Sequence, residues 1–206
     1  TIIIEVGNTP PVPTIISPTT ALRFYVGQTI TLIGSATDEE DGVLPDNNLT
    51  WQVIQHHVDA LNPGNTHTHP WVTLNSGNNI QFTTPDMEDS YAYDSYLELI
   101  LKATDSFGAS TTITQSLLPA KFDLTFQSQP TGMVLKIGLL STFAPRTVTV
   151  WEKSKVVVEA VDPQNDAGGA TYLFQSWSDG GLKQHAFIAS SASTTYQVVF
   201  VSATPP

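Results

Sequence analysis

Cysteine is absent from these 206 residues. No disulfide can staple the chain, so stability has to come from a core, which a chain of this length can build unaided. Cations are almost as scarce, with eight Lys and Arg against nineteen Asp and Glu and a formal charge of −11. Nucleic-acid binding needs a basic footprint, so that class is not expected, and neither is adhesion to an anionic membrane surface. No apolar run approaches the roughly 18 residues of a membrane span. No signal peptide opens the sequence, and Thr1 reads as the start of a processed or truncated chain. Convincing helical periodicity is missing too. So are a G-x-S-x-G elbow, a Cys nucleophile, a phosphate loop and a His-Glu-x-x-His helix, and an enzyme is therefore not expected. Carboxylate pairs are numerous, but glycoside hydrolysis needs them at a defined separation across a cleft.

What is present is β-forming. Hydrophobic residues make up 40% of the chain, enough for a core. Thr, Ser, Asn and Pro are abundant, a composition common in extracellular bacterial β-modules. Asn48-Leu49-Thr50 is a glycosylation sequon, which matters if the host glycosylates. Alternating apolar and polar residues predict strands at 14–16, 22–25, 29–36, 50–57, 71–74, 79–83, 96–104 and 109–117. The pair 71–74 and 79–83 reads as a hairpin around Asn75-Ser76-Gly77-Asn78. Leu118-Pro119-Ala120 is a boundary, and further strands are expected at 121–128, 133–137, 146–151, 155–161, 171–177, 184–188 and 194–201. The fold class is all-β: two tandem Ig-like β-sandwich domains, 8–119 and 120–206, preceded by an isolated strand within 1–7.

The chemistry-bearing side chains crowd into 34–70. Asp38, Glu39, Glu40, Asp41 and Asp46 repel one another unless solvated or bridged by a cation. Ca²⁺ takes six to eight oxygens; the alternative is a solvated Asx turn with Gly42 at positive φ. Ala36-Thr37-Asp38 and Ala103-Thr104-Asp105 each close a strand, and neighbouring strand ends would gather Asp38, Glu40, Asp41 and Asp105 into one calcium corner. Four of the five histidines follow. His56 and His57 must point to opposite faces of a strand, whereas His67 and His69 share one if extended. His57, His67 and His69 are thus either a metal-binding imidazole set or anchors for the 59–70 excursion. Trp71, Tyr91, Tyr93 and Trp151 lie at loops or strand ends and are the candidate platforms for a sugar ring, whereas Trp51 and Trp177 take core positions.

The run NTPPVPTI, ATDEEDGVLP, LTWQV, HH, HTHP, FTTP, LKATDSFGAS, LTFQSQPTGMVLKI, FQSWSDGG and TTYQVVF resembles an Ig-like tandem at the C-terminal end of secreted bacterial proteins. Many of those carry a glucose/sorbosone dehydrogenase-type propeller ahead of it. The first module is similar to PKD and cadherin-like sandwiches. The second is similar to PEGA-like modules, opening at Ser128-Gln129-Pro130-Thr131-Gly132 and closing at Trp177–Gly181. The resemblance implies fold and an extracellular or cell-surface location. It does not imply dehydrogenase activity, because the propeller and its quinone-binding residues are not in this sequence.

The function expected is that of a non-catalytic extracellular structural protein, a fibre subunit whose partners are copies of itself. TIIIEV supplies Ile2, Ile3, Ile4 and Val6, all apolar and β-branched, and such a strand pairs with any open edge. The Pro-rich segment 7–13 is expected to hold it extended, away from its own domain. Donation to another copy then builds a head-to-tail polymer. The alternative is a carbohydrate-binding or spacer module of a secreted enzyme.

Overall fold

The computed structural model of the chain describes residues 7–58, 64–87, 94–166 and 168–203. Ile2, Ile3, Ile4 and Val6 of the assembly strand, and Tyr91 and Tyr93 of the sugar platform, lie outside the described residues.

The protein is all-β. In chain order the strands are β1 (Val12–Ser17), β2 (Arg23–Phe24), β3 (Thr29–Asp38), β4 (Gly42–Val43), β5 (Leu49–Val58), β6 (Thr66–Ser76), β7 (Ile80–Thr83), β8 (Tyr96–Thr104) and β9 (Ser110–Pro119). There follow β10 (Lys121–Gln129), β11 (Val134–Ile137), β12 (Leu140–Phe143), β13 (Arg146–Trp151), β14 (Lys155–Ala160), β15 (Gln164–Asn165), β16 (Thr171–Trp177), β17 (Gln184–Ile188) and β18 (Thr194–Ser202). A 3₁₀ turn, Asp46–Asn48, leads into β5.

Strands up to Pro119 build two sheets. One has β3 flanked by β1 on one side and by β4 and β7 on the other; the second runs β2-β9-β8-β5-β6. Alternation explains the pairing of faces. Along β8, Leu97, Leu99, Leu101 and Ala103 are fully buried, and along β5 so are Leu49, Trp51 and Val53. They meet Ile30, Leu32, Ala36 and Phe82 of the facing sheet in one apolar cluster. Gly34 is small for a reason: a Cβ there would lie 2.7 Å from Leu101 and 2.9 Å from Trp51. From Lys121 onward two more sheets, β13-β10-β18-β16-β15 and β12-β11-β14-β17, enclose a second cluster built on Leu124, Phe126, Leu135, Val158, Trp177 and Val198. Trp51 and Trp177 hold the core positions expected of them.

Three expectations are corrected. The hairpin between 71–74 and 79–83 does not form. β6 starts at Thr66 and pairs with β5, whereas β7 pairs with β3 of the facing sheet. The chain crosses between sheets at Gly77 and Asn79, both at positive φ, and the Asn78 carboxamide bonds the amide and carbonyl of Gly34 at 2.9 Å each, taking the place of a strand neighbour. The Pro-rich segment is not a free spacer. Val12 and Pro13 pair with Thr37 and Ala36, on an edge strand where proline is tolerated. Finally, Trp151 is no sugar platform. It is fully buried, edge-on to Phe24 at 5.3 Å, in the cluster of the first two sheets. Its position at the end of β13 looked peripheral, but that strand end abuts the other half.

That contact is one of several at the junction. Ala120 alone separates β9 from β10, and its amide donates to the Phe24 carbonyl at 2.8 Å. The Val26 amide donates to the Glu152 carbonyl at 3.0 Å, and the Lys153 ammonium lies 3.6 Å from the Tyr25 ring centroid.

Candidate functional site

The first half holds two polar clusters at opposite ends of β5. Leu49 begins that strand and His57 nearly ends it, about 27 Å apart at 3.4 Å per residue.

The far end carries the histidines. Alternation along β5 turns Trp51, Val53, Gln55 and His57 inward, while His56 faces out. On β6, His67 stands directly opposite His57, and His69 opposite Gln55. This register places three imidazoles on one face. His57 Nδ1 lies 3.1 Å from His67 Nε2. One ligating nitrogen from each of His57, His67 and His69 can be chosen so that all lie within 4.8 Å of one another. The rings meet edge to face, His57–His67 at 4.5 Å and His67–His69 at 4.7 Å between centroids. His57 is buried, His69 half-buried and His67 exposed. An open pocket of about 450 Å³, lined by His56, His57, His67, Thr68 and Tyr96 among others, reaches His57 and His67. On the outer face His56 bonds Glu98 at 2.8 Å and stacks on Tyr96, so it belongs to a separate pair.

Gln55 was missed by sequence reasoning. It is fully buried, and neither amide atom finds a hydrogen-bond partner among the described residues. The signal was available, since Gln55 falls on the inward register of Trp51, Val53 and His57. A polar residue there is anomalous unless something binds it.

The near end carries the carboxylates, and the turns after β3 and β8 meet there through Asp41 and Ser106. Asp38 Oδ1 accepts the amides of Glu40 and Asp41 at 3.0 and 2.9 Å. Asp41 in turn accepts the amide and hydroxyl of Ser106, both at 2.8 Å. Asp105 Oδ1 accepts the amides of Phe107 and Ala109, and Oδ2 accepts the Asn8 side-chain amide at 2.8 Å. Burial pushes the Asp105 carboxyl up, but these hydrogen bonds, Asn8 foremost, outweigh it and hold the group below the usual carboxylate range. The Thr9 hydroxyl bonds Glu40. Asp38 Oδ2 is buried without a hydrogen-bond partner among the described residues. Asn8 and Thr9 carried no sequence signal, because their role depends on where the chain folds back.

Trp71 lies in the irregular stretch of β6 where the register to β5 shifts. It is 41% exposed and its indole N–H donates to the Thr83 carbonyl at 2.8 Å, which fixes the ring.

The fifth histidine belongs to the other half. His185 bonds Asp179 at 2.9 Å and the Leu182 carbonyl at 2.8 Å. Partial burial raises the Asp179 carboxyl, and the Gly181 amide and His185 together more than reverse it, leaving the group below its usual range.

No family model matches the chain, and neither a curated protein nor a solved structure matches it. The functional reading therefore rests on residues and geometry.

Proposed function

We propose that the chain is a non-catalytic structural subunit of an extracellular fibre, joined head to tail to copies of itself. The observation that carries this reading is the junction. A one-residue connection, main-chain bonds on both sides of it and a tryptophan from β13 seated in the neighbouring core resist bending between the halves, as a subunit under tension requires. The donor is TIIIEV. Asn8 and Thr9, just after it, are tied to Asp105 and Glu40, so the segment joins the first half at a fixed point. The acceptor is an open sheet edge on the next copy. Phe143 and Ile188 are exposed on β12 and β17, the two edges of one sheet, and present the apolar surface an incoming strand covers. Ca²⁺ at Asp38, Glu40, Asp41 and Asp105 would stiffen the point of attachment, and Asp38 Oδ2, buried without a hydrogen-bond partner among the described residues, supports that assignment. Deleting residues 1–7 is expected to leave a folded monomer and to abolish fibres seen by electron microscopy. Fibres that survive the deletion, or a 1–206 chain that stays monomeric at high concentration, would overturn the assembly.

A further inference from the structure

Beyond assembly, the geometry points to a zinc-class site at His57, His67 and His69 that staples the edge strand β6 to β5. Imidazole nitrogen is a preferred ligand of borderline divalent metals such as Zn²⁺ and Co²⁺. Zn–N bonds of about 2.0–2.1 Å in a tetrahedron separate two ligating nitrogens by roughly 3.3–3.4 Å. His57 Nδ1 and His67 Nε2, 3.1 Å apart, lie within about 0.3 Å of that separation. The widest pair of the three, at no more than 4.8 Å, has to close by roughly 1.5 Å at most, within reach of a ring rotation.

Register makes the set a consequence of the fold rather than of chance on a flexible loop. His57 and His67 are cross-strand partners, and His69 is two residues along the same face. Three protein ligands leave a fourth position open, which is the arrangement of zinc sites that keep an exchangeable ligand. The pocket beside His57 and His67 gives that position, and the arriving ion, a route from solvent. Gln55 is the independent observation. A wholly buried carboxamide with neither atom bonded among the described residues is costly, and it sits on the same inward face, opposite His69. A metal-bound water is a group it can bond, a supporting role that metal sites commonly use.

The staple acts on the strand that most needs one. β6 is an edge whose ladder pairing, among the described strands, is with β5 alone, and its register slips twice between Trp51 and Ile54. A metal held by both strands pins the pairing at its other end.

The test uses the full chain after exhaustive chelation. Titration with Zn²⁺ is expected to show one site per chain and a rise in melting temperature. Co²⁺ is expected to give the intense visible absorption of a four-coordinate site. His67→Ala removes an exposed ring, so the variant keeps its core; its Zn²⁺ affinity is expected to fall by more than about a hundredfold, beyond the 10–100-fold seen for losing an outer partner. His56→Ala, on the outer face but lining the same pocket, is expected to bind as the unmodified chain does. Absence of a Zn²⁺-dependent shift in the unmodified chain, retention of affinity in His67→Ala, or its loss in His56→Ala would each overturn the site.

Discussion

The two halves are built from the same kind of strand, yet they fill their interiors differently. The first buries Asp38, Gln55, His57, Thr84, Ser95 and Asp105 among its apolar residues; the second buries only Ser128 and Ser154 among the described residues. Burying such groups is unfavourable unless each is bonded, and ionisable ones most of all. The first half therefore carries polar ends that packing alone does not explain, whereas the second is chiefly an apolar core. The difference places most of the buried polar groups in the first half, with candidate chemistry at the two ends of β5.

The comparison breaks first at the residue that crosses it. Trp151→Ala is expected to destabilise the protein by about 3–5 kcal/mol, the range for deleting a buried large aromatic. Its loss should appear in the first half, although the residue belongs to β13. Urea unfolding of the intact chain is expected to be one transition, and of the variant two. Two transitions in the unmodified chain would show that the halves were never coupled.

A smaller effect sharpens the polar side of the contrast. Asp105 has a folded-state pKa below the ordinary 3.8, so its contribution is fully present above that value and is lost as pH falls through the folded value. Asp105→Asn is therefore expected to lower the melting temperature at neutral pH, with a gap that narrows below about pH 4. If the corner holds Ca²⁺, excess Ca²⁺ raises the melting temperature of the unmodified chain, EDTA reverses the rise, and the variant shows neither response. Equal melts in Ca²⁺ and EDTA would remove calcium from the account.

The smallest change tests whether the second half has any polar site of its own. A Cβ on Gly181 would overlap the His185 ring. Gly181→Ala is expected to displace His185 from Asp179 and cost about 0.5–1 kcal/mol, the scale of one partly exposed ion pair. An NMR titration of Asp179 that is unchanged in the variant would mean that the His185 ring had room to move without losing its partner.

Much of this fold was readable from alternation, because period-2 patterning reports directly which face of a strand is buried. Tyr96–Thr104 and Arg146–Trp151 match their expected limits, and the opposed directions of His56 and His57 follow from the same rule. Partner choice was not readable. Thr66–Ser76 is mostly exposed, so its sequence lacks the apolar alternation that marks a strand, and only β5 reveals its register. Gly42–Val43 and Gln164–Asn165 are too short to show a period. The convergence of His57, His67 and His69 was legible as a possibility from spacing, since two residues on one face of an extended segment stay together. The destination of Trp151 was not, because a strand end gives no hint of what abuts it.

The borrowed indole bears on where the chain can be cut. Pro119 ends β9 and invites a fragment boundary there. A first half that stops at Pro119 leaves behind the side chain that Phe24 packs against, and with it the Glu152 carbonyl that receives the Val26 amide. Such a fragment starts with a hole the size of an indole in its core. The matching second half would display that same indole to solvent, so each piece made alone would carry an adhesive surface that the intact chain keeps covered.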